Sequence, residues 1–179
     1  MKNKILEKSK HLFLNFGFKS ITMDEIASSM GVSKKTIYKY FQNKTALVDT
    51  VTHDMFNTIS SGINEICEVG MNPIHELFSI NKLVMENLKN ERSSPQYQLQ
   101  KYYPKIYESL RKRQFHLMQN FVCNNLKEGI QIGLYRDCID IQFISRIYFN
   151  GNLGIKDKDL FPLDDYSMKT LSNFYLEYH

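Results

Sequence analysis

An all-α fold follows from three features of this 179-residue sequence. Apolar residues recur at three- and four-residue spacing along nearly the whole chain, and no sustained two-residue alternation appears. Helix signals punctuate that pattern: Thr22, Ser33 and Asn43 stand where helices begin, and Gly17, Gly31 and Gly133 where they end. The composition is 42% hydrophobic and 23% charged with only 4 Pro and 8 Gly, which is that of a globular chain. The expected architecture is an N-terminal three-helix domain over residues 1–47, followed by a larger helical C-terminal domain over 48–179.

Each element has its own justification. The first helix runs from about Lys4 to Phe16, with Ile5, Leu12, Phe13 and Phe16 on or near one face, and Gly17 supplies a left-handed stop. Thr22 and Glu25 form a Thr-x-x-Glu capping box that opens a short helix through Met30. Gly31 ends it. Ser33 caps a helix of about Lys34 to Tyr40, and Asn43 caps a longer one from about Lys44 to Glu68. Pro73 sits at the start of a helix of about Ile74 to Lys89, whose apolar side carries Leu77, Phe78, Val84 and Leu88. Asn90 to Pro95 reads as the clearest loop. A helix from Gln96 is disturbed at Pro104 and continues to about Ile132. Two more helices follow, about Asp140 to Gly151 and about Leu163 to Tyr178.

Several function classes are disfavoured. The longest run without a charged residue, Gln114–Leu126, contains Gln, Asn and His, and falls short of the roughly 18 apolar residues of a membrane span. Charges at Lys2, Lys4, Glu7 and Lys8 occupy the place of a signal peptide's apolar stretch. The expected location is therefore the cytoplasm, with no membrane partner. Cys67, Cys123 and Cys138 are too scattered for a disulfide framework or a Cys-x-x-Cys metal site. The five histidines are dispersed, and no His-Glu-x-x-His, Gly-x-Ser-x-Gly or phosphate loop occurs. The expectation is a non-enzyme with no cofactor and no metal.

Charge gives the first positive indication. Residues 1–47 hold nine lysines against Glu7, Asp24 and Glu25, a surplus of six. The other 132 residues hold 14 basic and 16 acidic side chains, a deficit of two. A basic head on a near-neutral body suits a phosphate-binding module joined to a second function.

Within that head, Thr22 to Leu47 reads as two short helices joined by a tight turn. Ile26, Ala27 and Met30 supply the inner face of the first, and Ala27 is small where two helices cross. Gly31 permits a positive φ, Val32 fills the corner, and Ile37 and Phe41 anchor the second helix from beneath. This is the helix-turn-helix layout. Its outward face presents Lys34, Lys35, Thr36, Tyr38 and Lys39, side chains suited to the major groove, where lysine donates to guanine and threonine meets a base edge. The Tyr38 and Tyr40 hydroxyls are placed to reach phosphates. Thr22 and Lys44 lie at helix N-termini, which favour anions.

The run Thr22, Ile26, Ala27, Gly31-Val32-Ser33, Thr36, Tyr38, Tyr40-Phe41, Lys44 and Leu47 resembles the TetR family of bacterial transcriptional regulators, over about the first 50 residues. Farther on, Glu128-Gly129, Gly133, Arg136 and Asp140 are similar to the segment before that family's dimer helices. The resemblance implies a homodimer on palindromic double-stranded DNA, acting as a repressor, with a C-terminal domain that binds a small effector and dimerises. It implies base contacts by Lys34, Lys35 and Thr36, backbone contacts by Thr22, Ser33, Tyr38, Tyr40 and Lys44, and either by Lys39. Lys35 departs from the family pattern, which often has a small residue such as Gly there.

The C-terminal domain is rich in aromatics. Tyr102, Tyr103, Tyr107, Met118, Phe121 and Tyr148 are the candidates to line a pocket for a hydrophobic or aromatic effector. The last two helices carry Ile144, Tyr148, Leu171, Phe174, Tyr175 and Tyr178, an apolar set that a second copy would cover. Two other readings stay open: a metal-sensing regulator of the same fold, if His53, His116 and a cysteine converge, and a sequence-independent DNA binder, whose affinity would be set mostly by salt.

Overall fold

The computed structural model describes residues 1–88, 95–157, 159–162 and 164–178. Among them the chain forms α1 (Lys2–Phe16), α2 (Met23–Ser29), α3 (Lys34–Tyr38), α4 (Lys44–Glu68), α5 (Pro73–Leu88), α6 (Pro95–Tyr102), α7 (Pro104–Gln131), α8 (Ile141–Gly154) and α9 (Met168–Tyr178). The all-helical expectation holds. Apart from Pro95, which opens α6, the expected loop from Asn90 lies outside the described residues.

The chain divides into two compact units. The first comprises residues 1–59 with 87–112, and the second 60–86 with 113–179. The first unit therefore extends beyond residue 47, taking in the first part of α4, all of α6 and the start of α7.

The first unit is built on one apolar cluster. Ile5, Phe13, Phe18, Ile26, Ala27, Ile37, Leu47, Val48 and Val51 meet there with Leu99 of α6 and Ile106 of α7. Such a contiguous buried set supplies most of a small domain's stability. Phe16, read from sequence as inward, is exposed, and Leu14 is buried instead. Gly17 also differs from expectation. Its φ is +91° but its ψ is 150°, so it is not a left-handed helix cap; it occupies a region open to glycine alone. A Cβ there would collide with the side chain of Gln98, so Gly17 also permits α6 to approach.

The second unit packs Ile63, Ile80, Phe121, Val122, Cys123, Tyr148, Phe149, Leu171 and Leu176 away from solvent. A polar network lies among them. Asn125 Nδ2 donates to Pro73 O at 2.8 Å and to Glu76 Oε1 at 2.9 Å. Tyr135 OH donates to Asn125 Oδ1 at 3.1 Å. Burial first, then the Glu76 carboxylate, push the Cys67 thiol up to about 11. Where α8 meets α9, the Tyr148 and Tyr175 rings stand 5.5 Å apart and Tyr175 OH donates to Tyr148 O at 2.9 Å. Burial and the neighbouring Tyr148 raise the Tyr175 hydroxyl far above the ordinary tyrosine range.

The last helix starts at Met168, not near Leu163. Ser167 Oγ accepts the Thr170 N–H at 3.1 Å and caps it, while the Asp165 and Tyr166 N–H groups close turns onto Pro162 O. Asp140 caps α8 by accepting the Phe143 N–H at 2.9 Å. No helix among the described residues is long and apolar enough to cross a membrane.

Candidate nucleic-acid interface

The helix pair α2–α3 is set by its caps. Thr22 Oγ1 accepts the Glu25 N–H at 3.2 Å, and Glu25 Oε2 accepts from Thr22 N at 2.6 Å and Thr22 Oγ1 at 2.9 Å. The backbone N–H of Thr22, then its hydroxyl, hold the Glu25 carboxyl below its usual value. The Thr22 hydroxyl proton is thereby committed to Glu25, and an anion at this position competes with that carboxylate. Gly31, at φ +64°, turns the chain, and the Val32 N–H returns to Ala27 O at 3.0 Å. Ser33 Oγ accepts the Thr36 N–H at 3.2 Å to start α3.

Helix α3 is only five residues long, yet its two faces differ sharply. Ile37 is wholly buried, whereas Lys34, Lys35, Tyr38 and Lys39 are exposed. Thr36 is half-buried, and its hydroxyl shares a 2.9 Å hydrogen bond with Ser33 Oγ. Tyr40 is exposed just beyond the helix. All the residues expected on DNA belong to the first unit: Ser33 to Tyr40 on or beside α3, Thr22 at the start of α2 and Lys44 at the start of α4.

The lysines are not equivalent. Lys34 Nζ sits 2.8 Å from Asp24 Oδ2, which raises its pKa above the ordinary lysine value. That residue, Asp24, was missed from sequence because ten positions separate it from Lys34; only the turn between α2 and α3 brings them together. Lys44 is half-buried, and its Nζ donates to Lys19 O at 2.9 Å. Burial lowers its pKa, and the nearby Glu25 carboxylate opposes that. Asn43 Oδ1 caps α4 by accepting the Ala46 N–H at 2.8 Å.

The six candidates for an effector site divide between the units. Tyr103 and Tyr107 pack against the first unit's apolar cluster, and Tyr102 is exposed beside them, under the Lys19 ammonium at 4.7 Å. Met118, Phe121 and Tyr148 belong to the second unit, with Phe121 and Tyr148 buried. Burial pushes the Tyr148 hydroxyl up to about 12.

The six dimer candidates also differ in placement. Leu171 and Tyr148 lie inside the second unit, Ile144 and Tyr175 are half-buried, and Phe174 (56%) and Tyr178 (84%) face out. Phe143, at 60%, and Ile147 are exposed on α8 at a four-residue interval, and sequence reasoning left them off the list. Among the described residues no three His, Cys, Asp or Glu side chains gather as a metal site. His53 and His116 fall in different units.

A capped helix, a glycine turn and a second helix that is apolar beneath and basic outside define a helix-turn-helix protein of the DNA-binding class. The family model for bacterial regulatory proteins of the tetR family matches residues 5–51. A Bacillus subtilis (strain 168) protein named as the uncharacterized HTH-type transcriptional regulator YhgD is 36% identical over 75 residues, which span 42% of this chain and 39% of that relative. The HTH-type transcriptional repressor KstR2 of Mycolicibacterium smegmatis is 22% identical over 157 residues, covering 81% of this chain and 72% of that one. A crystal structure of Thermus thermophilus FadR, described as a TetR-family transcriptional repressor in complex with lauroyl-CoA, has the same fold. It matches with a TM-score of 0.64 at 17% identity, over 99% of this chain and 92% of the other. Residues 5–51 thus match the DNA-binding part of the tetR family of bacterial regulatory proteins.

Proposed function

We propose that this regulator binds a palindromic operator as a homodimer in the cytoplasm, acts as a repressor, and is released by a small hydrophobic or aromatic effector. The observation that carries the DNA reading is α3: Ile37 locks it from beneath while Lys34, Lys35, Tyr38 and Lys39 stand free of the core. In this reading residues 1–47 carry the reading head, and residues 48–179 carry effector binding and dimerisation. Lys34, Lys35 and Thr36 contact bases. Thr22, Ser33, Tyr38, Tyr40 and Lys44 contact the backbone, and Lys39 either. The chain is not an enzyme, in line with relatives named as transcriptional regulators and repressors.

Dimerisation is assigned to the outer faces of α8 and α9. Phe143 and Ile147 on one helix, and Phe174 and Tyr178 on the other, repeat at four-residue intervals and are exposed in the single chain. Leu171 and Tyr148 support that face from inside the unit.

The effector reading rests on the second unit, at Met118, Phe121 and Tyr148. The relatives support an apolar ligand: one is described with lauroyl-CoA, and a structure of KstR2 from Mycobacterium tuberculosis is described as a ketosteroid transcriptional regulator. Because Phe121 and Tyr148 are already buried, a ligand that reaches them must displace packed side chains, and so it favours a conformation other than this one. Helix α4, which contributes to both units, carries that change to the heads. The heads must stand about 34–36 Å apart to enter successive major grooves. A ligand disfavours that spacing only by its differential affinity for the two states.

The test is selection from a random duplex library. An inverted repeat with arms about one helical turn apart supports the reading. Bound DNA with no shared motif sinks it in favour of a sequence-independent binder.

A further inference from the structure

A cationic and aromatic cluster stands in the first unit, outside the residues assigned above to DNA. In α6, Tyr97 and Lys101 are four positions apart and exposed, with Tyr102 beside them, while Leu99 turns into the core. The Lys101 ammonium lies 5.5 Å from the Tyr97 ring centroid and 5.6 Å from that of Tyr102, and 3.4 Å from Tyr97 OH. Lys19, from the α1–α2 loop, lies 4.7 Å over the other exposed ring, Tyr102. Lys19, Ser20, Tyr97, Gln98 and Tyr102 line an open cavity of about 290 Å³. Neither Lys19 nor Lys101 meets a carboxylate among the described residues, where the one ion pair is Lys34–Asp24.

Two hydrogen bonds fix this cluster to the proposed DNA face. Gln98 Oε1 accepts the Lys19 N–H at 3.1 Å, and Lys19 O accepts from Lys44 Nζ at 2.9 Å. The Lys44 cation in turn neighbours Glu25, which caps Thr22. Linked contacts therefore run from Lys44 through Lys19 and the Tyr102 ring to Lys101. Positive charge continues too: residues 95–112 hold Lys101, Lys105, Arg111 and Lys112 against Glu108 alone. Tyrosine faces hold the two ammonium groups in place without neutralising them, which lowers the entropic cost of meeting an anion.

We infer that Lys19 of the α1–α2 loop and Lys101 of α6, set on Tyr97 and Tyr102, form a second DNA-backbone contact that extends the operator interface beyond the helix-turn-helix. This rests on the proposed function, because it needs DNA to lie against Thr22 and Lys44. The contact carries no base preference, since phosphates position and bases specify.

The experiment titrates the full chain with its selected operator and with a scrambled duplex of equal length across a range of salt. Lys19→Gln and Lys101→Gln each remove one contact from both heads of the dimer, and are each expected to flatten the slope of log affinity against log salt by about 1.8. From that slope, each weakens both duplexes about thirtyfold at 0.15 M salt. Lys101→Glu weakens binding further. Melting temperatures equal to that of the unsubstituted chain show that the folds are intact. If Lys19→Gln and Lys101→Gln titrate like the unsubstituted chain while Lys44→Ala weakens both duplexes, this inference fails and the helix-turn-helix reading stands. If Lys44→Ala is also without effect and the operator is not preferred over the scrambled duplex, both fail.

Discussion

The two units of this chain distribute polarity in opposite ways. In the first, the interior is chiefly apolar, from Ile5 and Phe13 through Ile37 to Leu99, with the small hydroxyls of Ser9 and Thr52 buried among them, and the charged groups stand outside. In the second, Glu76, Asn125 and Tyr135 form a hydrogen-bonded network with Asn125 and Glu76 fully inside, while Phe143, Ile147, Phe174 and Tyr178 face outward. The first arrangement suits a rigid platform offered to a polyanion. The second suits a body that presents apolar surface to another copy of itself and holds its interior by directional bonds. An apolar core tolerates exchange of similar shapes, whereas a buried polar network fails when one partner is lost.

That contrast can be broken most strongly at Ile37. Ile37→Ala removes a wholly buried side chain that anchors a five-residue helix, and is expected to cost about 3 kcal/mol of stability. Chemical denaturation measures it, and operator binding should be lost in parallel. A loss under about 1 kcal/mol would mean that α3 is not held from beneath. Asn125→Ala is the counterpart in the second unit. It strands Glu76, Tyr135 OH and Pro73 O together, and is expected to cost about 2 kcal/mol. Tyr135→Phe should cost less, because it removes one donor only.

Effects on binding should be smaller than that and separable. Thr36→Ala is expected to reduce discrimination between operator and scrambled duplex by about tenfold, with the salt slope intact. Lys44→Ala should weaken all sequences alike and flatten the salt slope by about two units, one for each head of the dimer. Competition titrations at several salt concentrations separate the two. A Lys44→Ala protein with altered base preference would reverse the assigned roles.

The mildest test uses the cysteines. Cys138 is exposed, and Cys67 is half-buried with its thiol held near 11 by burial and by Glu76. Because the thiolate is the reactive form, iodoacetamide at pH 8 should modify Cys138 well before Cys67. The folded-state pKa of Cys67 lies above its ordinary value of 9.0. Its contribution to stability is therefore complete below pH 9 and is lost as pH rises toward 11. Mass spectrometry of partly labelled protein, and melting between pH 8 and 11, check both statements.

How much was legible from the sequence follows the same division. The head is read from neighbours in the chain: Thr22 with Glu25, Ser33 with Thr36 and Asn43 with Ala46 are each three residues apart, and Gly31 sits between its helices. Local rules therefore recover the capped helices and the glycine turn. What escaped them depends on distant segments. Nothing near Tyr103 or Tyr107 signals that both pack against the apolar cluster built on α1. Asp24 meets Lys34 only through the turn, and Lys19 meets Tyr102 across more than eighty residues. In the last two helices, periodicity marked apolar residues without distinguishing the faces. Leu171 closes the unit and Phe174, three residues on, does not.

The central claim, two identical heads reading one palindrome, is tested most directly by operator spacing. Lengthening the centre of the selected operator by half a helical turn (about five base pairs) turns one arm to the opposite face of the duplex. Affinity is expected to fall to that of a single arm, by about a hundredfold or more, and restoring the full turn is expected to recover part of it. Equal affinity for the original and the half-turn operator would contradict the claim, because heads that bind independently do not register the distance between their sites.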